Sequence, residues 1–208
     1  MVIKMLKDER NKNYVKNENP YNKYKNNIHN DVLSLYYQFN HLKNIYRQGW
    51  LISLLGMDYE NRIESVADHT WSVTMLALSI IEKYNLDLNI EKCMKLAIIH
   101  ELGEVYSGDI IPNVISKEEK HQIEEAAVDE LLSPIGFDND FKELWLEYDN
   151  AKSLEADFIK QVDKLEAALQ TVSYGLSPGV LKCDNKIKMP CLVEILNEAY
   201  KTFEDSNQ

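Results

Sequence analysis

Phe158, Val162, Leu165, Leu169 and Val172 recur at alternating four- and three-residue intervals along "SLEADFIKQVDKLEAALQTV". That spacing sets them on one stripe of a helix, the side that faces a core. The same pattern predicts helices near 31–46, 65–84, 90–106, 117–132, 139–149, 153–174 and 190–204. Valine, isoleucine and threonine never alternate with polar residues over the length of a strand, and no internal repeat is visible. The seven glycines and five prolines fall mostly between the helical segments, as in "SGDIIP", "SPIG" and "YGLSPG". The expected fold is all-α: a helical bundle with short connections over residues 31–208. Residues 1–30 hold "NKNYVKNENPYNKYKNN", which has no period and few large apolar groups to bury, so a mobile extension is expected there.

Three of these helices carry polar side chains where the pattern calls for apolar ones. "ESVADHTW" opens the second, with Ser65 and Asp68 spaced as a capping box and His69 in the first turn. The run "WSVTMLALSII" behind it is apolar nearly all round and marks a central helix. "LAIIHELGEVYSGDI", residues 96–110, inserts His100, Glu101 and Glu104 on one side of an otherwise apolar helix. Asp163 lies beside the stripe of the 153–174 helix on a row with Ala156, Ile159 and Ala167. Each residue has a plainer reading: a helix cap for His69, a solvated His–Glu pair for His100 and Glu104, an ion pair with Lys160 for Asp163. Together, histidines and carboxylates on three helices point to a divalent cation, because a buried unpaired charge is costly and imidazole and carboxylate are ordinary metal ligands.

Composition narrows the partners. The 208 residues carry a formal net charge of -11, which disfavours a nucleic-acid polymer. Residues 1–30 hold seven Lys/Arg against three Asp/Glu and eight asparagines, leaving sixteen basic and thirty-one acidic residues beyond them. That basic arm is read as a solvated tail, with a docking arm as its alternative. Cys93, Cys183 and Cys191 form no C-x-x-C pair and read as reduced thiols, so a cytoplasmic protein is expected. No apolar run approaches the roughly 20 residues of a membrane span, and no membrane partner is expected.

Five blocks in order carry a family resemblance: "LKNIYRQGW" (42–50), "ESVADHTW" (64–71), "KLAIIHELGEVYSGDIIP" (95–112), "SKEEK" (116–120) and "FIKQVDKLEAALQ" (158–170). From residue 33 to about 174 the chain resembles the HD-domain metal-dependent phosphohydrolases, in their 5′-deoxynucleotidase-like branch. The resemblance implies that His69, His100, Glu101 and Asp163 hold one divalent metal. It implies that Glu104 orients or activates the attacking water and that Asp109 faces the sugar or the reacting phosphate. Arg47 matches the arginine that grips phosphate, and Trp50 the tryptophan that lines the nucleotide pocket. By the residues alone Trp50 reads equally as a core anchor, Arg47 as a surface residue and Asp109 as a helix terminator.

One departure stands out. The family is named for a His-Asp pair, and the second member here is Glu101. Its stem is longer by one methylene, which favours Mn²⁺, Co²⁺ or another transition metal over the geometrically stricter Mg²⁺. The implied activity is removal of the 5′-phosphate from deoxyribonucleoside monophosphates, small nucleotide substrates. The alternatives are hydrolysis of another small phosphate ester, or a catalytically degenerate nucleotide-binding regulator. A homodimer is the family expectation.

Overall fold

A computed structural model describes residues 19–54, 63–111, 114–132, 136 and 138–206. The described residues are helical apart from turns, connections and an isolated antiparallel bridge between Tyr46 and Ser65. The α-helices are α1 (Pro20–Tyr24), α2 (Asp31–Phe39), α3 (Gln48–Ser53), α4 (Val66–Tyr84), α5 (Ile90–Ile99), α6 (Glu104–Ser107), α7 (Lys117–Leu132), α8 (Asp138–Asp149), α9 (Leu154–Ser173) and α10 (Pro190–Ser206). The all-α expectation holds. No helix among the described residues is long and apolar enough to cross a membrane.

Contacts group the chain into two units. One takes the described residues up to Asp68 together with Glu101–Lys142; the other takes His69–His100 and the chain from Glu143 onward. In the second unit α9 packs on α5 and α10. Its stripe of Phe158, Val162 and Leu165 meets Val73, Ala77 and Ile80 of α4, Leu96 and Ala97 of α5 and Leu192 of α10 in one buried core. The free thiols of Cys93, Cys183 and Cys191 lie in that core. In the first unit α7 packs on α2 and α6, and the core includes Leu42, Ile45, Val105, Val128 and Leu131.

Helix ends follow local chemistry. Ser65 and Asp68 form the expected capping box: the Ser65 N–H and Oγ–H each donate to Asp68 Oδ2 at 2.8 Å, and Asp68 N–H donates back to Ser65 Oγ at 3.2 Å. Ser153 caps α9 by accepting from Ala156 N–H at 3.1 Å.

Two expected helices differ. The 31–46 helix ends at Phe39, tightens to a 3₁₀ turn over Asn40–Asn44, and then becomes extended. Its backbone is claimed there by another partner, since Ile45 C=O accepts from Val66 N–H at 2.8 Å and Arg47 N–H donates to Glu64 C=O at 3.2 Å. The 90–106 helix stops at Ile99; residues 101–103 form a turn, and α6 starts afresh at Glu104. His100 Nδ1 sits 2.7 Å from the Ala97 carbonyl, so a side chain competes with the backbone for that acceptor. Gly103 marks the close approach of α7: a Cβ placed there would lie 2.8 Å from Glu124 Cβ. Within the 1–30 extension, residues 1–18 lie outside the described residues, while α1 is an ordered turn capped by Asn19 and joined to α2 by a Tyr24–Tyr37 ring contact.

Candidate active site

His69 stands one turn into α4 and is fully buried. Its Nδ1 lies 2.6 Å from Glu166 Oε2 and its Nε2 3.2 Å from Asp163 Oδ1. The His100 ring, at the end of α5, is 5.5 Å from the His69 ring and 5.2 Å from Tyr148, centroid to centroid. Ligand-type atoms of His69, His100 and Asp163 all lie within 4.8 Å of one another. Three residues far apart in sequence therefore meet, as the pattern of inward polar positions suggested.

The protonation pattern tests whether a cation suits this cluster. Donation from His69 Nδ1–H to the Glu166 carboxylate makes Nε2 a lone-pair acceptor, and donation from His100 Nδ1–H to Ala97 C=O does the same for that ring. Asp163 Oδ2 accepts from Tyr148 O–H at 3.1 Å and from Lys164 Nζ at 2.7 Å. Its Oδ1 is buried and accepts no hydrogen bond among the described residues. In that tautomer a lone pair on Nε2 faces Asp163 Oδ1 across 3.2 Å. Two ligands about 2.0–2.2 Å from a shared cation stand roughly 2.8–3.6 Å apart in tetrahedral or octahedral geometry. The residues fit a cation. Burial opposes the Asp163 charge, but Lys164 first, and then the His69 and His100 rings beside it, hold the carboxyl well below the usual range. The expected Lys160 pairing gives way to Lys164, and Lys160 Nζ instead lies over the Tyr148 ring at 4.5 Å.

The first unit assembles a different group. Arg47, at the N-cap of α3, places Nη1 3.0 Å from Glu101 Oε1 and Nε 4.0 Å from Glu64 Oε1. Glu101, for which the sequence offered no partner but a metal, thus has an arginine beside it. Trp50 is buried, and its indole N–H donates to Glu64 Oε1 at 2.6 Å. Asp109 follows Gly108, whose φ of 71° ends α6, and its Oδ2 accepts from Gln48 N–H at 2.7 Å. Glu104 opens α6 with 1% exposure, and its Oε2 accepts no hydrogen bond among the described residues. Burial and the charges of Glu101 and Asp109 push its carboxyl well above the usual range, against the pull of Lys120 and Arg47. Burial opposes the Lys120 charge, yet Glu104, Glu124, Glu101 and Asp109 raise its pKa above the ordinary lysine value.

Sequence reasoning missed Glu166, Glu64 and Lys120, although each lies in a block quoted above. For Glu166 the available signal was its place three residues after Asp163, on the same face of α9.

A model described as HD domain matches residues 39–188. The chain belongs to the HD-domain family. Within it, the chain is 38% identical to a human 5′-deoxynucleotidase over 170 residues, 76% of this chain and 78% of that one. It is 36% identical to a 5′-deoxynucleotidase of Schizosaccharomyces pombe over 140 residues, 64% and 67% of the two chains. A conserved hypothetical protein of Pyrococcus furiosus has the same fold, with a TM-score of 0.65, 29% identity and coverage of 81% of this chain and 99% of that one. The HD-domain chain thus sits on the 5′-deoxynucleotidase-like branch.

Proposed function

We propose that this HD-domain protein hydrolyses deoxyribonucleoside 5′-monophosphates, using one divalent transition-metal ion held by His69, His100, Glu101 and Asp163. The observation that carries the reading is Asp163 Oδ1, an ionised and buried acceptor that receives no hydrogen bond and faces an imidazole nitrogen at 3.2 Å. Glu101 joins the set as the residue peptide-bonded to His100.

A divalent cation, when bound, supplies Lewis acidity that acidifies water and offsets charge developing on phosphorus. Glu104 accepts the proton of the attacking water, a task suited to a buried carboxylate whose raised pKa makes it a stronger base. Water attacks phosphorus, the bond from phosphorus to the sugar 5′ oxygen breaks, and that oxygen takes up the proton Glu104 accepted and leaves as the nucleoside hydroxyl. Arg47 offers a planar, always-charged fork to the phosphate. Asp109 faces the sugar or phosphate, and Trp50 supports the base pocket.

The Arg47–Glu101 ion pair supports a second reading, in which Glu101 stays with the arginine and three protein ligands hold the ion. The family reading also carries the expectations of a homodimer and a cytoplasmic location. The testing experiment adds Mn²⁺, Co²⁺ and Mg²⁺ in turn to stripped protein and follows phosphate release from deoxy- and ribonucleoside monophosphates and triphosphates. Deoxynucleoside monophosphates are expected to turn over with Mn²⁺ or Co²⁺; equal rates on simple phosphate esters would move the assignment to a general phosphomonoesterase.

A further inference from the structure

We propose that Glu166 is a positioning residue of the metal centre, fixing by its acceptor oxygen which nitrogen of His69 faces Asp163. The inference rests on the reading that His69 ligates a metal. Asp163 and Glu166 lie three residues apart on α9, so one helix turn presents two carboxylates in the same direction. The His69 imidazole spans them, with Nδ1 2.6 Å from Glu166 and Nε2 3.2 Å from Asp163. Only the first contact is a hydrogen bond.

With Nδ1 committed to Glu166, Nε2 is the nitrogen left to face Asp163, and Lys164 Nζ, 2.7 Å from Asp163 Oδ2, fastens the aspartate from its other side. His100 is held differently, since its Nδ1 meets the neutral carbonyl of Ala97. A carboxylate partner makes an imidazole a stronger donor to a metal and locks the ring orientation, and loss of such a partner costs about 10–100-fold in metal affinity.

Two substitutions separate position from charge. Glu166→Asp keeps the charge but withdraws the acceptor, whereas Glu166→Gln keeps an acceptor in place without the charge. Metal affinity is measured by chelator competition, with the visible spectrum of the Co²⁺ protein and the thermal unfolding of the stripped protein alongside. Glu166→Asp is expected to weaken binding about 10–100-fold and alter the Co²⁺ spectrum, with Glu166→Gln closer to wild type in both. Equal losses, or a larger loss in Glu166→Gln, would overturn a positioning role. His69→Ala is the control: if it loses metal while Glu166→Asp binds as wild type, the positioning role fails and His69 remains a ligand. If His69→Ala binds as wild type, the metal reading fails and this inference falls with it.

Discussion

In the His69–His100–Asp163 cluster, each candidate ligand is fastened by its far atom: Nδ1 to Glu166, Nδ1 to Ala97 C=O, and Oδ2 to Tyr148 and Lys164. In the Arg47–Glu101–Glu104–Asp109 group, the charges are matched mainly against each other, Arg47 to Glu101 and Lys120 to the surrounding carboxylates. The first arrangement is preorganised for something that stays. The second is a set of exchangeable ion pairs suited to something that arrives and leaves, because an anionic phosphate can take the place of a carboxylate on arginine.

The largest effect tests the fastened cluster. Asp163→Ala removes a proposed ligand and is expected to leave the protein without stoichiometric metal, read by elemental analysis, and without measurable turnover. Metal retained at one equivalent would move the site elsewhere. Glu104→Gln comes next: turnover should fall about 10²–10⁴-fold with metal content intact, and loss of both would make Glu104 a ligand. Arg47→Lys keeps a charge but removes the fork, and kcat/KM for the phosphate substrate should drop about 10–100-fold, as expected for a charged hydrogen bond. An unchanged value would leave Arg47 as a partner for Glu101 alone.

Smaller effects sharpen the contrast in the stripped protein. Asp163 is depressed in the folded state, so its contribution to stability is present above its unfolded pKa and is lost as pH falls through the folded value. Glu104 is raised, so the folded state binds the extra proton and stability declines as pH rises from the unfolded carboxylate range through the folded value. Metal-free Glu104→Gln should therefore be more stable than wild type at neutral pH, and the difference should shrink on acidification in a urea series at several pH values. A difference independent of pH would discard that electrostatic account. Gly103→Ala should destabilise by about 1–3 kcal/mol, because its Cβ meets Glu124 at 2.8 Å; an unchanged denaturation midpoint would show that α7 yields.

Periodicity made α4, α7, α8, α9 and α10 legible, since each falls within a segment marked by the helical apolar pattern and its bounding breaks. It also placed His69, His100 and Asp163 inward. Periodicity reports burial, however, and burial does not name the side chain opposite. Glu101 and Arg47 are 54 residues apart, and nothing local signals that the chain at Ile45–Arg47 bonds to Glu64–Val66. The break at His100 was hidden for a related reason: the residues around it keep a helical apolar pattern while a side-chain hydrogen bond takes the backbone acceptor. Trp50 was ambiguous because stacking surface and core anchor require the same ring, and its indole N–H on Glu64 is a tertiary contact.

The buried cysteines turn the second unit into its own reporter. Burial pushes the Cys93 thiol up to about 11 and raises those of Cys183 and Cys191. A thiol in that state is almost wholly protonated near neutral pH and out of reach of an electrophile, so alkylation waits for the core to open. All three belong to the unit that holds His69 and His100, and the first unit has none. The rate of thiol labelling in native buffer thus counts openings of that unit alone, and an ion that binds only its closed form slows the count in proportion to occupancy.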